Sequence, residues 1–253
     1  MKILATLLML FLWLSAAAGA ELFEYKNLLL ETKKNQARDK ASGKLLWRAT
    51  IKVARLSDKG KDFIYITEDG SGIYGQDHKE KSWSSRAYYI HDKTSVIPYQ
   101  GKLVYKSPDG KILETIEKSF DLAQKKVLFR ENNKETLYDL QGDLIDKELL
   151  GLALANYPFK EKRDLIFHLL TNEPKIYPMT IKYIGEEPVT INGKEIAAHK
   201  IQMIPDLGAL NIFGAFVPKT YFWFTKEKPH DFLRYEGLES GMGTPYIIIE
   251  AVQ

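Results

Sequence analysis

Three short stretches near the carboxyl terminus decide the fold: residues 219–225 (KTYFWFT), 231–237 (DFLRYEG) and 245–250 (PYIIIE). Each has the length of a strand, is rich in aromatic or β-branched residues and is flanked by turn residues. The first and third are apolar at odd and even positions alike. Since successive side chains of a strand point to opposite faces, these strands must be covered on both faces. Helices, a second sheet or a ligand could provide that cover.

Most of the preceding chain also has the pattern of strands separated by turns. Residues 45–54 alternate between apolar and polar side chains, which is typical of a strand with one buried face. Turns are indicated at 69–70 (DG), 107–110 (SPDG) and 192–193 (NG). Residues 28–40 are polar enough for an exposed helix or loop. Further strands are predicted at 63–67, 83–90, 102–106, 112–120, 125–130, 164–170, 177–184, 189–191 and 195–204.

One helix is predicted, over residues 146–157. Asp146 is its candidate N-cap, and Tyr157 with Pro158 ends it. Its apolar residues run almost all round the helix, which indicates burial against a sheet. We therefore predict a mainly β fold: a single curved antiparallel sheet, or open half-barrel, with one or two helices covering its concave side.

Composition limits the class of protein. The chain has 253 residues, of which 45% are hydrophobic, enough for a core without disulfide or metal support. Its 36 basic and 33 acidic residues are interleaved, so no basic face for a nucleic acid is indicated. Because there is no cysteine, disulfides, thiolate metal sites, cysteine nucleophiles and an acylated N-terminal cysteine are excluded.

Residues 1–20 have the features of a cleavable signal peptide. Lys2 is followed by an apolar run at 3–14 and an A-x-A cleavage site at 18–20. The alternative is a membrane anchor, but the run is shorter than the ~20 residues of a spanning helix. No later segment is long and apolar enough to span a membrane. An export signal without cysteines predicts a periplasmic protein with no lipid anchor, whose residues 21–253 form a single β-rich domain.

Motifs for catalysis or metal binding are missing. None of the five histidines lies in an H-E-x-x-H or H-x-H arrangement, and no G-x-S-x-G, S-x-x-K or phosphate-binding glycine loop is present. We therefore predict no metal and no cofactor. The densest polar group is interpreted as a solvated strip of ion pairs, with Arg234 pairing with Glu236, rather than a catalytic site. Its members are His230, Asp231, Arg234, Glu236 and Glu239.

An apolar segment at residues 205–218 is bounded by prolines and broken by glycines. Loops normally run over the surface, so an apolar loop either fills the core or covers an apolar ligand. If it is a lid, its side chains contact the ligand together with aromatic residues of the strands. The predicted ligand-binding residues are Leu210, Phe213 and Phe216 in the lid, and Trp47, Tyr221 and Trp223 in the sheet.

The export signal, the antiparallel strands with a helix in mid-chain and the late aromatic strand at 221–224 (YFWF) resemble a known family. They look like bacterial periplasmic proteins of the domain-of-unknown-function 3108 (DUF3108) type, and more distantly like the lipoprotein carriers LolA and LolB. The resemblance implies a curved sheet with helices closing its concave side over an apolar cavity. It implies no functional residue, because no position-specific motif matches.

The favoured hypothesis is a protein that binds or carries a lipid or acyl chain in cell-envelope biogenesis. The alternative is a scaffold or assembly factor that holds an envelope protein through its sheet and whose interior is filled. A third hypothesis is a hydrolase that uses His230, Asp231 or Glu236. The sequence favours the two binding functions over the enzyme.

Overall fold

The structure is a computed structural model that describes residues 23–25, 28–58, 60–140, 143–206, 208 and 218–252. The predicted signal peptide, residues 1–20, lies outside these residues. The described chain is mainly β, as predicted, with one short helix, α1 (Leu150–Ala155). The strands are β1 (Thr32–Asp39), β2 (Leu45–Asp58), β3 (Lys61–Tyr74), β4 (Lys79–Asp92), β5 (Ser95–Lys106), β6 (Ile112–Asp121), β7 (Lys126–Glu131), β8 (Lys134–Asp139), β9 (Leu144–Asp146), β10 (Leu165–Leu170), β11 (Ile176–Ile191), β12 (Lys194–Pro205), β13 (Thr220–Thr225), β14 (Phe232–Leu238) and β15 (Tyr246–Val252).

All of these strands belong to one 15-stranded sheet. Its order is β8-β7-β6-β5-β4-β3-β2-β1-β15-β14-β13-β12-β11-β10-β9, so β1 and β15 join two arms. We call β1–β8 the N-terminal arm and β9–β15 the C-terminal arm. Neighbouring strands are antiparallel except β9 and β10, which are parallel. The outer strands β8 and β9 are not hydrogen-bonded to each other, so the sheet is open, but it is larger than the predicted half-barrel.

The two arms pack on each other around α1. The largest core cluster combines Ile64 and Tyr89 of the N-terminal arm with Phe167 and Ile201 of the C-terminal arm. A second cluster joins β5, β6 and β7 to Leu170 of β10. Such burial between arms is the main source of stability, because each apolar side chain removed from water contributes roughly 1.5–3 kcal/mol.

The helix is present but shorter than predicted. Leu152 and Leu154 are buried in the largest core cluster, so α1 packs against side chains of both arms. The predicted N-cap is wrong: Asp146 lies in β9, and Leu149 occupies the N-cap position without a side-chain hydrogen bond. The Asp146 carboxylate instead accepts a hydrogen bond of 2.8 Å from the Tyr89 hydroxyl.

Two further local predictions are wrong. Residues 28–40 were expected to form an exposed helix or loop, yet Thr32–Asp39 is the strand β1, paired on both sides. Backbone pairing with two neighbours compensates for its polar sequence. The turn expected at 69–70 is also absent, because Gly70 lies within β3, opposite Trp83 of β4.

Candidate ligand-binding cavity

The register of the N-terminal arm brings alternate residues of adjacent strands onto one face. Ala49 pairs with Gly70, Gly70 with Trp83, and Trp83 with Tyr105. A Cβ atom at Gly70 would lie 2.2 Å from Cζ2 of Trp83, so the indole of Trp83 rests directly on the glycine backbone. Trp83 also makes an edge-to-face contact with Trp47, at 5.6 Å between ring centroids. We call the face that carries these residues the inner face, because it is directed toward the space between the arms.

The inner faces of the two arms line two adjoining cavities. The smaller has a volume of about 290 Å³ and is lined mainly by the N-terminal arm, including Trp47 and Trp83. The larger has a volume of about 1150 Å³, and Met179 and Met203 contribute to its apolar wall. Side chains that line both cavities include those of Tyr74, Lys147, Phe222 and Tyr235. The two cavities therefore adjoin along these shared side chains, and we call the pair of them, the hollow between the arms, the inner cavity.

Two carboxylates in the wall are held by indole groups. Glu68 accepts a hydrogen bond of 2.7 Å from Nε1 of Trp83. Glu239 accepts one of 2.7 Å from Nε1 of Trp47 and another of 2.7 Å from the backbone N–H of Gly75. Burial raises the pKa of both carboxyl groups. These bonds fix the two tryptophans that shape the smaller cavity.

Lys147 places an ammonium group in the shared wall. Its Nζ donates a hydrogen bond of 3.2 Å to the Tyr74 hydroxyl and lies 5.9 Å from the centroid of that ring. Burial lowers the pKa of Lys147, but the surrounding groups, Tyr105 and Glu68 first among them, more than offset it, so the net pKa is raised. The side chain is therefore a cation at neutral pH.

A buried polar network lies beside Lys147. Lys118 donates hydrogen bonds to Glu148, at 2.7 Å, and to the side-chain oxygen of Asn172, at 2.8 Å. Burial, reinforced by the negative charge of Glu148, raises the pKa of Asp146 to about 7. The pKa of Glu148 is lowered: burial raises it, but the charge of Lys118 outweighs that effect. The network ties β6 to the segment between β9 and α1.

Of the six predicted ligand-binding residues, one lines a cavity, three lie outside the described residues and two lie on the opposite face of the sheet. Trp47 lines the smaller cavity. Leu210, Phe213 and Phe216 lie outside the described residues, so their role stays a prediction. Tyr221 and Trp223 lie on the opposite face of β13, in a third cluster, and line neither cavity.

Trp223 has a role of its own on that opposite face. It packs with Val189 and Leu233, and its Nε1 donates a hydrogen bond of 2.7 Å to Glu187. The sequence could not indicate which face of β13 lines the cavity, because residues 221–224 are apolar on both faces. The neighbouring Phe222 is the residue of this strand that lines both cavities.

The polar group at residues 230–239 is divided among different contacts. His230 and Asp231 line the smaller cavity, and His230 donates a hydrogen bond of 2.9 Å to the backbone carbonyl of Thr225. Arg234 pairs with Glu250, so the predicted pairing of Arg234 with Glu236 is wrong. In the part of the chain that the structure describes, no three His, Asp or Glu side chains are grouped to hold a metal ion.

Helices of membrane-spanning length and apolarity are not found among the described residues. No family model matches the chain, and no curated protein matches it. A solved structure does: a "beta-barrel-like" protein of the domain of unknown function DUF1849 from Brucella abortus. The TM-score is 0.57 at 10% identity, over 90% of this chain and 97% of the other. The shared feature is therefore the fold alone, and the predicted resemblance to the DUF3108 type is wrong.

Proposed function

We propose that this protein binds and carries an apolar ligand, such as a lipid or acyl chain, in the inner cavity. The observation that supports the proposal is the volume of that hollow: about 290 and about 1150 Å³ on the two sides of one shared wall. Ligand sites are typically concave, roughly 300–1,000 Å³ in volume, and mostly apolar with a few polar groups. Export to the periplasm, as the amino-terminal sequence predicts, would place this activity in the cell envelope.

The driving force would be burial of apolar ligand surface. Each Å² removed from water contributes about 25 cal/mol, and the loss of ligand freedom opposes binding. The aromatic side chains Trp47, Trp83 and Phe222 offer large rigid surfaces in the cavity wall. Because indole hydrogen bonds already fix the two tryptophans, little of their freedom remains to be lost on binding.

The competing hypotheses have less support. A scaffold function was predicted for a sheet whose interior is filled by its own side chains, and the inner cavity does not fit that condition. A hydrolase would need two of the side chains of His230, Asp231 and Glu236 to meet a distant histidine in one cleft. Glu236 is instead paired with Lys40, away from the cavity lining.

Gly151 of α1 offers a direct test. It lines both cavities, and a Cβ atom added there would meet no atom within 4 Å. The side chain of Gly151→Trp would therefore begin in open space, and its indole would take up volume in the inner cavity. We expect this variant to bind the neutral fluorescent probe N-phenylnaphthylamine at least about tenfold more weakly than the wild type, because it excludes apolar ligand from the cavity.

Gly151→Ala is the matched control. It makes the same change of backbone freedom, and should stabilise α1 by up to about 1 kcal/mol while leaving the cavity open. It should bind the probe as the wild type does. Absence of saturable binding to the wild type, or full affinity in Gly151→Trp, would contradict the proposal.

A further inference from the structure

Lys147 differs from the other lysines that face the inner cavity or lie next to it. Lys33 pairs with Glu31 at 2.8 Å, Lys81 with Asp77 at 2.9 Å and Lys118 with Glu148 at 2.7 Å. Lys147 has no carboxylate oxygen within 4.0 Å of its ammonium group among the described residues, where that group donates one hydrogen bond, to the Tyr74 hydroxyl. An ammonium group in a largely apolar cavity without a contacting counter-ion can accept an anionic partner from outside the protein.

The carboxylates around Lys147 are already engaged with the cavity wall. Glu68 is bonded by Trp83, and both oxygens of Glu239 accept hydrogen bonds, from Trp47 and Gly75. Lys147 and the hydroxyl of Tyr74 can still donate hydrogen bonds toward the hollow. Glu148, a further carboxylate near Lys147, is paired with Lys118. One ammonium group can pair with one carboxylate, and the negative charges in the wall oppose any further negative charge on the ligand.

A second polar feature indicates which end of a ligand lies where. Asn35 is 6% exposed and lines the smaller cavity, and its Oδ1 has no hydrogen-bond partner among the described residues. A buried amide oxygen without a donor is unfavourable by roughly 1–3 kcal/mol. A water molecule in the cavity could donate one hydrogen to this oxygen and the other to a carboxylate head group, and would thereby relieve it. The larger cavity offers the apolar wall, including Leu169, Met179 and Met203. The polar end of a ligand therefore fits the smaller cavity and the shared wall, and its chain fits the larger cavity.

We propose that the inner cavity takes an aliphatic chain with a single carboxylate head group, of the fatty-acid class, and that Lys147 binds the carboxylate. This inference rests on the proposed function, since it specifies the ligand of the same cavity. Burial from water would strengthen the pairing of the ammonium with the carboxylate, because the local dielectric constant is lower than in bulk solvent.

The test compares three ligands that share one chain and differ in head group: lauric acid, lauryl alcohol and laurylamine. Each displaces N-phenylnaphthylamine from the wild type, from Lys147→Met and from Lys81→Met. Lys81→Met is the matched control, because Lys81 also lines the larger cavity but is already paired with Asp77. Thermal unfolding of each variant checks that it is folded.

We expect the wild type and Lys81→Met to bind lauric acid about tenfold more tightly than lauryl alcohol. Lys147→Met should lose this preference and bind lauryl alcohol as the wild type does. Equal affinity of the wild type for acid and alcohol, tighter binding of laurylamine, or a preference for the acid that survives in Lys147→Met would overturn the inference. Binding of the alcohol in those cases would leave the proposed function standing, whereas no binding of any of the three would contradict both.

Discussion

Gly70 and Trp83 form the contact on which the shape of the smaller cavity depends. The glycine lies in the middle of β3, where a side chain of any size would occupy the place of the Trp83 indole. With the indole in that place, its N–H reaches Glu68 and its ring reaches Trp47. A residue whose usual role is to permit turns here permits close approach of a ring to the backbone.

We predict that Gly70→Ala destabilises the protein by about 1–3 kcal/mol, because the added Cβ would lie 2.2 Å from Trp83 and displace it. The free energy of unfolding in urea measures the effect. Gly101→Ala in β5 is the control: there the nearest atoms to an added Cβ lie at 3.9 Å, so a change within about 0.5 kcal/mol is expected. Equal stability of Gly70→Ala and wild type would show that the packing of the Trp83 indole on Gly70 does not contribute to stability.

At the scale of single residues, the sequence shows which side chains a strand carries but not which of its two faces lines the cavity. Trp47 lines the smaller cavity, and its contact with a ligand stays a prediction. Alternation failed for Tyr221 and Trp223, since both faces of β13 are apolar. Lys147 could not be predicted at all, because its position depends on packing between the two arms, and nothing local distinguishes it from a surface lysine.

Among the elements, turns whose residues favour a particular backbone conformation agree best with their prediction. The turn at Asn192 and Gly193 has φ values of 50° and 77°, as a two-residue hairpin turn requires. The turn at 107–110 joins β5 and β6 as expected, and the backbone N–H of Gly110 donates to the carbonyl of Ser107. By contrast, β1 was missed because its polar sequence becomes a strand only through pairing with β2 and β15. Tertiary pairing overrides weak local preference in such cases.

The segment between β9 and α1 should make stability depend on pH. Asp146 has a pKa of about 7 in the folded protein and an ordinary value of 3.8, so the folded state binds a proton more tightly than the unfolded state. Its contribution to stability is present at about pH 4 and is lost as pH rises to about 7. Asp146→Asn removes this loss, so we expect its free energy of unfolding to rise relative to wild type between about pH 5 and about pH 8, by up to about 3 kcal/mol.

The control for this prediction is Asp109→Asn, the same chemical change in an exposed turn. Hydrogen bonds from the Ser107 hydroxyl and the Lys111 backbone N–H lower the pKa of Asp109, so its titration lies below this pH range. Its stability difference from wild type should therefore stay constant when urea unfolding is repeated across the range. A constant difference for Asp146→Asn as well would show that burial does not shift this carboxyl group.

For the whole molecule, the hollow lies between two arms that share an apolar core and are also joined by a few buried polar contacts. Lys118 of β6 binds Glu148, which follows β9, and Asn172, which follows β10. The side chain of Lys118 is 2% exposed. Tyr89 of β4 makes a similar bond to Asp146. These contacts lie between strands that are not neighbours in the sheet, so they set the spacing of the arms.

We predict that Lys118→Met destabilises the protein by about 3–5 kcal/mol, because it leaves the carboxylate of Glu148 buried without its cation. Lys102→Met is the control, since Lys102 binds Glu117 at 2.8 Å but its side chain is 55% exposed, and less than about 1 kcal/mol is expected. The measurement is the free energy of unfolding of both variants in urea at neutral pH. Similar small changes in the two proteins would show that the arms do not depend on this contact.

The place of β1 beside β15 has a consequence for how the molecule assembles. Within the described sheet, every other pair of neighbouring strands is also consecutive along the chain. Except for the parallel pair β9 and β10, each arm can therefore grow from local hairpins. The seam that brings Lys34 opposite Val252 instead closes a loop of almost the entire polypeptide, and such distant closure is slow. A nascent or partly refolded chain would therefore contain two half-sheets whose edge strands β1 and β15 are unpaired. A ligand could be bound between the arms only after β1 and β15 have paired.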